Sequence, residues 1–294
     1  MSLSTLSLSS SFQALVCPLD GQPLTLGDGA WRCSAGHSFD VAKQGYVNLL
    51  PVQNKRSTDP GDSKAMVAAR QRFLSAGFYA PIAQRVSEMT LQEAPPAPLR
   101  CLDAGCGEGY YLRQLASHAA NTPLELVGLD ISKWAVLQAA KQSRRAAAES
   151  ERSACWLVGS NANLPIQTAS LDRLWCLFGF PVAEEFSRVL APGGVWLQGE
   201  AGPNHLRELR EIIYPSLKAE RDTPATPPPS FLLGNAETLS YRITLDTREA
   251  IADLLTMTPH LYRASPEGRA RAQALDTLSL TVEVRLTEWV KAAN

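Results

Sequence analysis

The sequence has no run of 18 apolar residues, so no segment of it is built to cross a membrane as a helix. It has no excess of either charge. The 28 Lys and Arg stand against 29 Asp and Glu, a net of −1, which argues against a general polyanion binder but leaves room for a local basic patch. It also has no compact cysteine framework. The six cysteines are Cys17, Cys33, Cys101, Cys106, Cys155 and Cys176, and the last four fall in or beside apolar runs that read as buried strands. That is the pattern of reduced thiols in a cytoplasmic protein rather than of disulfides. The opening MSLSTLSLSSSFQ lacks the positive and apolar regions of a signal peptide, and residues 1–13 read as a disordered tail. There is no internal repeat.

What is present suits one large domain plus a small one: 294 residues, of which 45% are hydrophobic. Residues 14–50 have little helical period and are rich in Gly, Pro and Cys, as in a small β-rich module. A polar loop follows over 51–63. Helical spacing then runs from Lys64 to Ala76 and from Tyr79 to about Leu91, interrupted by Gly77, before a linker with three prolines over 92–98. From Leu99 strands and helices alternate: LRCLDAG, LELVGLD, ACWLVG, LDRLWCLFGF and GVWLQGEAG read as strands, with helices between them and Ser132 capping one. ETLSYRITL and TLSLTVEVRLTEWV read as two further strands. This alternation predicts an α/β fold with a doubly wound parallel sheet spanning 99–294, reached through a helical linker over 51–98.

In such a sheet ligands bind beyond the carboxyl ends of the strands. Asp103-Ala104-Gly105-Cys106-Gly107-Glu108-Gly109 ends the first strand and opens a helix. Glycines there let the backbone approach a ligand closely, and the helix N-terminus favours anionic groups. A second acid, Asp130, ends the next strand 27 residues later, where a carboxylate can accept both hydroxyl protons of a ribose. The turn Ala191-Pro192-Gly193-Gly194 precedes the fifth strand. The glycines fall as GxGxG with an acid before them, and this combination resembles the class I S-adenosylmethionine (SAM)-dependent methyltransferases more than the dinucleotide dehydrogenases. The resemblance implies a Rossmann-like sheet. It also implies that Asp103, Gly105 and the rest of the loop pack on the methionine part of SAM, that Asp130 binds ribose, and that Asn161 to Pro165 lie near adenine.

Near the N-terminus, Cys17 and Asp20 are followed by Cys33 and His37. Two close pairs separated by a short loop have the spacing of a four-ligand zinc site, which would let a module of this size fold without a large core. Asp20 stands where a cysteine is usual. Either Asp20 ligates, or the module has kept its shape without a metal, with Cys17 and Cys33 as core residues.

A more specific resemblance covers nearly the whole chain after residue 15. Cys17-Pro-Leu, Cys33 to His37, Phe39-Asp40, Lys43 to Pro51 and Lys55 to Ser63 look like the bacterial 23S rRNA (guanine-N1)-methyltransferases. So do Arg70, Phe73, Gly77, Tyr79, Gly107 to Tyr111, Gly202 to Leu206 and Met257-Thr258-Pro259. This implies a zinc-ribbon-like RNA-recognition module over 14–50 fused to a SAM-binding methyltransferase domain, and methylation of one guanine N1 in a hairpin loop of 23S rRNA. It implies SAM contacts at Tyr79, Gly107, Glu108 and His205, and metal ligands at Cys17, Cys33 and His37, with Asp20 in place of the family's fourth cysteine. The resemblance also brings in a homodimer, which nothing in the residue pattern requires.

Methylating guanine N1 requires its lone pair to face the SAM methyl group and its proton to leave. A loop guanine that can be splayed out suits such a site. Leu177 to Pro181 offers aromatics that could stack on the base or belong to the core. Asp59 and Asp62 are candidate proton acceptors, or equally turn residues and caps. Residues 41–90 hold seven Lys and Arg against three Asp and Glu, with Lys55 and Arg56 as the leading RNA-binding candidates. Two other readings compete: a small-molecule SAM methyltransferase, and a zinc-ribbon RNA-binding protein that has lost its activity. The Cys/His module and basic linker argue against the first, and the intact loop with Asp130 against the second.

Overall fold

A computed structural model describes residues 12–54, 57–92, 97–119, 122–146, 154–217 and 226–293. The N-terminal part forms three short antiparallel strands, β1 (Thr25–Gly27), β2 (Ala30–Arg32) and β3 (Ser38–Asp40). Asp28 and Gly29 between β1 and β2 both have positive φ, 49° and 73°, as a tight two-residue hairpin of this twist demands. Phe12, within the expected tail, is buried, and residues 1–11 lie outside the described residues.

The fourth strand, β4 (Tyr46–Asn48), leaves this small sheet and joins a larger one. There it pairs in parallel with β7 (Cys155–Val158), Tyr46 opposite Trp156. The other strands are β5 (Leu99–Ala104), β6 (Leu124–Asp130), β8 (Leu171–Leu177), β9 (Leu190–Ala201), β10 (Phe231–Leu245) and β11 (Leu278–Lys291). The eight-stranded order is β10-β11-β9-β8-β5-β6-β7-β4.

The strands from β4 to β9 pair in parallel, as the alternating pattern predicts. However, β11 inserts antiparallel between β9 and β10, so the sheet is mixed. Antiparallel partners can be joined without a right-handed crossover, and nothing in the alternation of a strand records its direction. The Ala191 to Gly194 segment, expected as a turn, lies within β9, with an irregular register against β8 between Leu171 and Arg173.

The two sheet faces are covered differently. One carries α1 (Lys64–Ser75), α2 (Ala80–Leu91), α3 (Tyr110–His118), α4 (Lys133–Ala146), α6 (Arg207–Ile213) and α7 (Arg248–Met257), whose apolar residues share one core. The other carries α5 (Ala183–Val189) and the N-terminal strands. Phe12, Leu15, Leu24 and Trp31 share a core there with Leu102, Val127, Leu129, Leu157 and Phe186. The small module thus takes the place of a helical layer.

The helix boundaries have local causes. Ser63 accepts a hydrogen bond from the Met66 N–H at the start of α1, and Gly77 adopts φ +84° where the chain turns into α2. Ser132 accepts from the Ala135 N–H at the start of α4. The stretch 246–277, for which no element is expected from the sequence, holds α7 and two short helices, α8 (His260–Arg263) and α9 (Pro266–Gln273). Thr247 caps the first of these three and Ser265 the last.

Candidate functional site

The glycine loop bridges the carboxyl end of β5 and the start of α3. Its backbone is pinned to β6: the Gly105 and Cys106 N–H groups both donate to the Leu129 carbonyl, at 2.8 and 3.0 Å. Gly105, Gly107 and Gly109 all have positive φ, at 104°, 55° and 80°. At Gly109 a Cβ would also lie 2.4 Å from the Trp156 ring, so neither backbone nor space admits another residue. Asp130, at the end of β6, accepts from the Gly107 N–H at 2.9 Å and from the Ser132 N–H at 2.8 Å. Its two oxygens thereby hold the loop and the next helix start in one frame.

Two acids of the loop are buried with an unmatched oxygen. Asp103 is 1% exposed, its Oδ2 makes no hydrogen bond, and burial, with the Asp130 charge adding, pushes its carboxyl up to about 8. Glu108 is 2% exposed. Its Oε2 receives Arg113 Nη2 at 2.7 Å and the Gln142 amide, while Oε1 has no partner. Burial raises the Glu108 carboxyl despite Arg113 beside it. A buried carboxyl oxygen without a partner is costly unless a ligand answers it, so two of them at one glycine loop fit a ligand with donor groups.

Three rings meet nearby. Tyr79 precedes α2, Phe178 follows β8 and His205 follows β9. Their centroids lie 5.9 to 6.2 Å apart, and the Tyr79 hydroxyl is 3.3 Å from His205 Nε2. His205 Nδ1 accepts from the Glu283 N–H at 3.3 Å, which places the proton of the neutral ring on Nε2, donating to Tyr79. Burial lowers His205 to about 4, so the ring is neutral near pH 7. The Tyr79 hydroxyl is raised, again by burial. Its own proton is left free to be donated to a ligand.

Glu283, which sequence reading did not single out, fixes this turn by accepting from the Asn204 N–H and the Asn204 side-chain amide at 3.0 and 3.1 Å. No sequence signal marks it, because alternation along the strand puts Glu283 in phase with Thr281 and Arg285 rather than with the apolar Val282 and Val284. Asn161 donates to the carbonyls of Ala104 and Phe180, at 3.3 and 3.1 Å, and so ties the segment after β7 to the ends of β5 and β8. Phe178 is half-exposed with φ 56°, and Phe180 is 89% exposed.

The two proton-acceptor candidates each have a side-chain partner. Asp59 accepts from Trp134 Nε1 at 2.7 Å, and Asp62 is paired with Arg70. Lys55 and Arg56 lie outside the described residues.

The second cluster is at the N-terminus. Cys17 Sγ, an Asp20 carboxylate oxygen, Cys33 Sγ and His37 Nδ1 all lie within 4.8 Å of one another. Nδ1 of His37 is 3.5 Å from Cys17 Sγ, 3.4 Å from Cys33 Sγ and 2.9 Å from Asp20 Oδ2. A tetrahedral ion with ligands at roughly 2.0–2.3 Å would set its donors about 3.3–3.8 Å apart, so the three spacings to His37 are at or just inside what an ion would impose. Asp20 Oδ1 accepts from the Gln22 N–H, which leaves Oδ2 for the cluster. That N–H, above all, holds the Asp20 carboxyl down at about 2, in the ionised form a ligand needs. Two thiols, an imidazole and a carboxylate are a fitting donor set for zinc.

Comparison with known proteins extends these observations along the whole chain. Residues 15–58 match the family profile described as RlmA, N-terminal, a zinc ribbon, and residues 101–194 match one described as Methyltransferase domain. A protein of Micromonospora griseorubida named as a 23S rRNA (guanine-N1)-methyltransferase is 33% identical, over 94% of this chain and 96% of its own length. The 23S rRNA (guanine(748)-N1)-methyltransferase of Streptomyces fradiae is 32% identical over 87% of this chain and 89% of its own length. The YxjB protein of Bacillus subtilis, named for the same type of activity, is 26% identical over 95% and 98%. With both profiles in order and relatives matched from end to end, the chain belongs to the 23S rRNA (guanine-N1)-methyltransferase family.

Proposed function

We propose that this chain transfers a methyl group from SAM to N1 of a guanine in 23S rRNA. The observation that carries the reading is the joining of a zinc-type cluster, beside the small three-stranded sheet, to a ligand-ready glycine loop at the end of the large one, in a chain whose relatives over most of its length bear that name. A small-molecule methyltransferase would need the loop but not the cluster.

SAM, when bound, supplies an electrophilic methyl group. The residues of this chain supply positioning. Asp130 is placed to accept from ribose hydroxyls, and the unmatched oxygens of Asp103 and Glu108 to accept from the ammonium of the methionine part. Tyr79, with His205 holding its oxygen, has a proton to give to the cofactor. Asn161 fixes the segment assigned to adenine.

Phe178 and Phe180 stand beyond the end of β8 with exposed faces, suited to stack a guanine turned out of an RNA loop. The strained φ of Phe178 holds its ring against Tyr79 and His205, beside the cofactor. Cys17, Asp20, Cys33 and His37 would hold one zinc ion, which shapes the N-terminal module for RNA. Lys55 and Arg56, in the polar loop that follows the module, are the candidate phosphate contacts.

The test is to incubate the protein with methyl-labelled SAM and unmodified 23S rRNA, digest the RNA and identify the labelled nucleoside. Label in 1-methylguanosine is expected. Label in another nucleoside, or label on small metabolites but not RNA, would contradict the reading. Replacing Lys55 and Arg56 together by alanine should weaken rRNA binding and lower its salt dependence while leaving SAM affinity intact.

A further inference from the structure

The cup around the glycine loop is acidic. Asp62, Asp103, Glu108 and Asp130 surround it, and two of these acids have buried oxygens without partners. That suits the ammonium and the ribose hydroxyls of the cofactor. It is hostile to the carboxylate on the same methionine moiety, which must sit within a few ångströms of the ammonium. A carboxylate brought into such a cup needs a cation beside it.

Two guanidinium groups reach the loop among the described contacts. Arg113 is committed to Glu108, donating to its carbonyl at 2.6 Å and to its carboxylate at 2.7 Å. Arg70, on α1, is placed differently. Its Nη1 lies so close over Gly107 that a Cβ there would be 3.6 Å away. Nη1 donates to the Asp62 carboxylate and Nη2 to the Met257 carbonyl at 3.0 Å. Those two bonds tie α1 to the polar loop before it and to the end of α7, and they use only two of the five N–H groups of the guanidinium. The side chain remains about a quarter exposed, at 27%. Its charge is felt throughout the cup: burial raises Asp130, Glu108 and Tyr79, and Arg70 opposes the rise in all three.

We propose that Arg70 anchors the carboxylate of the cofactor's methionine moiety, with Asp62 and the Met257 carbonyl holding the guanidinium over the glycine loop. The proposal rests on the assignment of SAM to this loop. Arg is suited to the task because its fixed fork meets a carboxylate through two parallel bonds, and part of the fork's orientation is already set by protein acceptors. It also gives the loop 57–63 a role. Gly61 packs so tightly on Ile131 and Ser132 that a Cβ would come within 2.9 Å, and the Ser132 hydroxyl donates to the Asp62 carbonyl at 2.7 Å. The loop that orients Arg70 is therefore locked to the strand end that carries Asp130.

The test compares two probes by calorimetry: S-adenosylhomocysteine, and the same molecule lacking its carboxylate. The wild-type chain should bind the first at least about tenfold more tightly, the size expected of a charge-assisted pair. Arg70→Gln should reduce that preference to within about twofold, chiefly by weakening S-adenosylhomocysteine, while the decarboxylated probe is held as before. Arg70→Lys, which keeps the charge, should retain part of the preference.

A wild-type chain with no preference overturns the proposal whether or not the variants fold. So does Arg70→Gln with the wild-type preference intact, or with both probes weakened equally. A wild-type chain that binds neither probe would instead overturn the assignment of SAM to the loop.

Discussion

At the N-terminal cluster every donor is a side chain: two thiols, an imidazole and a carboxylate, gathered from residues 17 to 37. At the glycine loop the frame is mostly backbone. Three residues of positive φ and four N–H groups are fixed by Leu129 and Asp130, with the acids arranged around them. The first site depends on which atoms are present. The second depends on which atoms are missing, since a single methyl group at Gly109 would meet Trp156 and Ala139. A substitution at the cluster should therefore change what binds, whereas one at the loop should first change whether the chain folds.

The largest expected effect is at the loop. Gly109→Ala should lose about 2–4 kcal/mol of stability in urea unfolding, from overpacking against Trp156 together with a left-handed non-glycine residue. A loss below about 1 kcal/mol would mean the loop can give, and would blur the contrast. Next is Asp130→Ala. It removes the acceptor of two backbone N–H groups, and S-adenosylhomocysteine affinity should fall on the order of a hundredfold, with zinc content unchanged. A simultaneous loss of zinc would show that the two sites are not separable.

Asp20 sharpens the other side of the comparison. Asp20→Ala should weaken zinc by about tenfold or more in competition with a chelator, and Asp20→Cys should tighten it, with cofactor affinity the same in both. Zinc held equally well by Asp20→Ala would remove Asp20 from the ligand set.

The smallest effect is a pH slope. Asp103 titrates near 8 when folded, against an ordinary value of 3.8, so between about pH 4 and 8 the ligand-free folded chain holds a proton that the unfolded chain has released. This group's contribution is thus fully present below pH 4 and is lost as pH rises through 8. His205, lowered to about 4, acts in the opposite sense, its contribution growing from about pH 4 to 6.5. Melting curves of Asp103→Asn against wild type should isolate the first slope: the variant should lose less stability than the wild type as pH rises from 6.5 to 8.5.

The legibility of the two sites in the sequence follows from the same difference. Positive φ is written in the chain as glycine, so the loop at 103–109 and its place at a strand end could be read directly. The metal ligands could be read because they fall in two close pairs. Contacts made only by the tertiary fold left no such mark. Tyr79 and His205 are 126 residues apart and Arg70 and Met257 are 187 apart, and no periodicity links them. The direction of β11 is likewise set by where the chain re-enters the sheet, not by its alternating residues. Helices α7 and α9 are a different matter. Thr247 and the Ser265-Pro266 pair are ordinary helix-start signals, so both helices are legible in the sequence itself. That Phe12 belongs to the core was hidden by the serine-rich residues before it.

The most direct test of the account is primer extension on 23S rRNA after incubation with the protein and SAM, since a methyl group on guanine N1 blocks the pairing edge and halts the polymerase. One new SAM-dependent stop is expected at a single guanine in a hairpin loop, present with the zinc-loaded wild-type chain and lost in Asp130→Ala. No stop from a chain that binds both SAM and the rRNA, or stops scattered over many guanines, would contradict it.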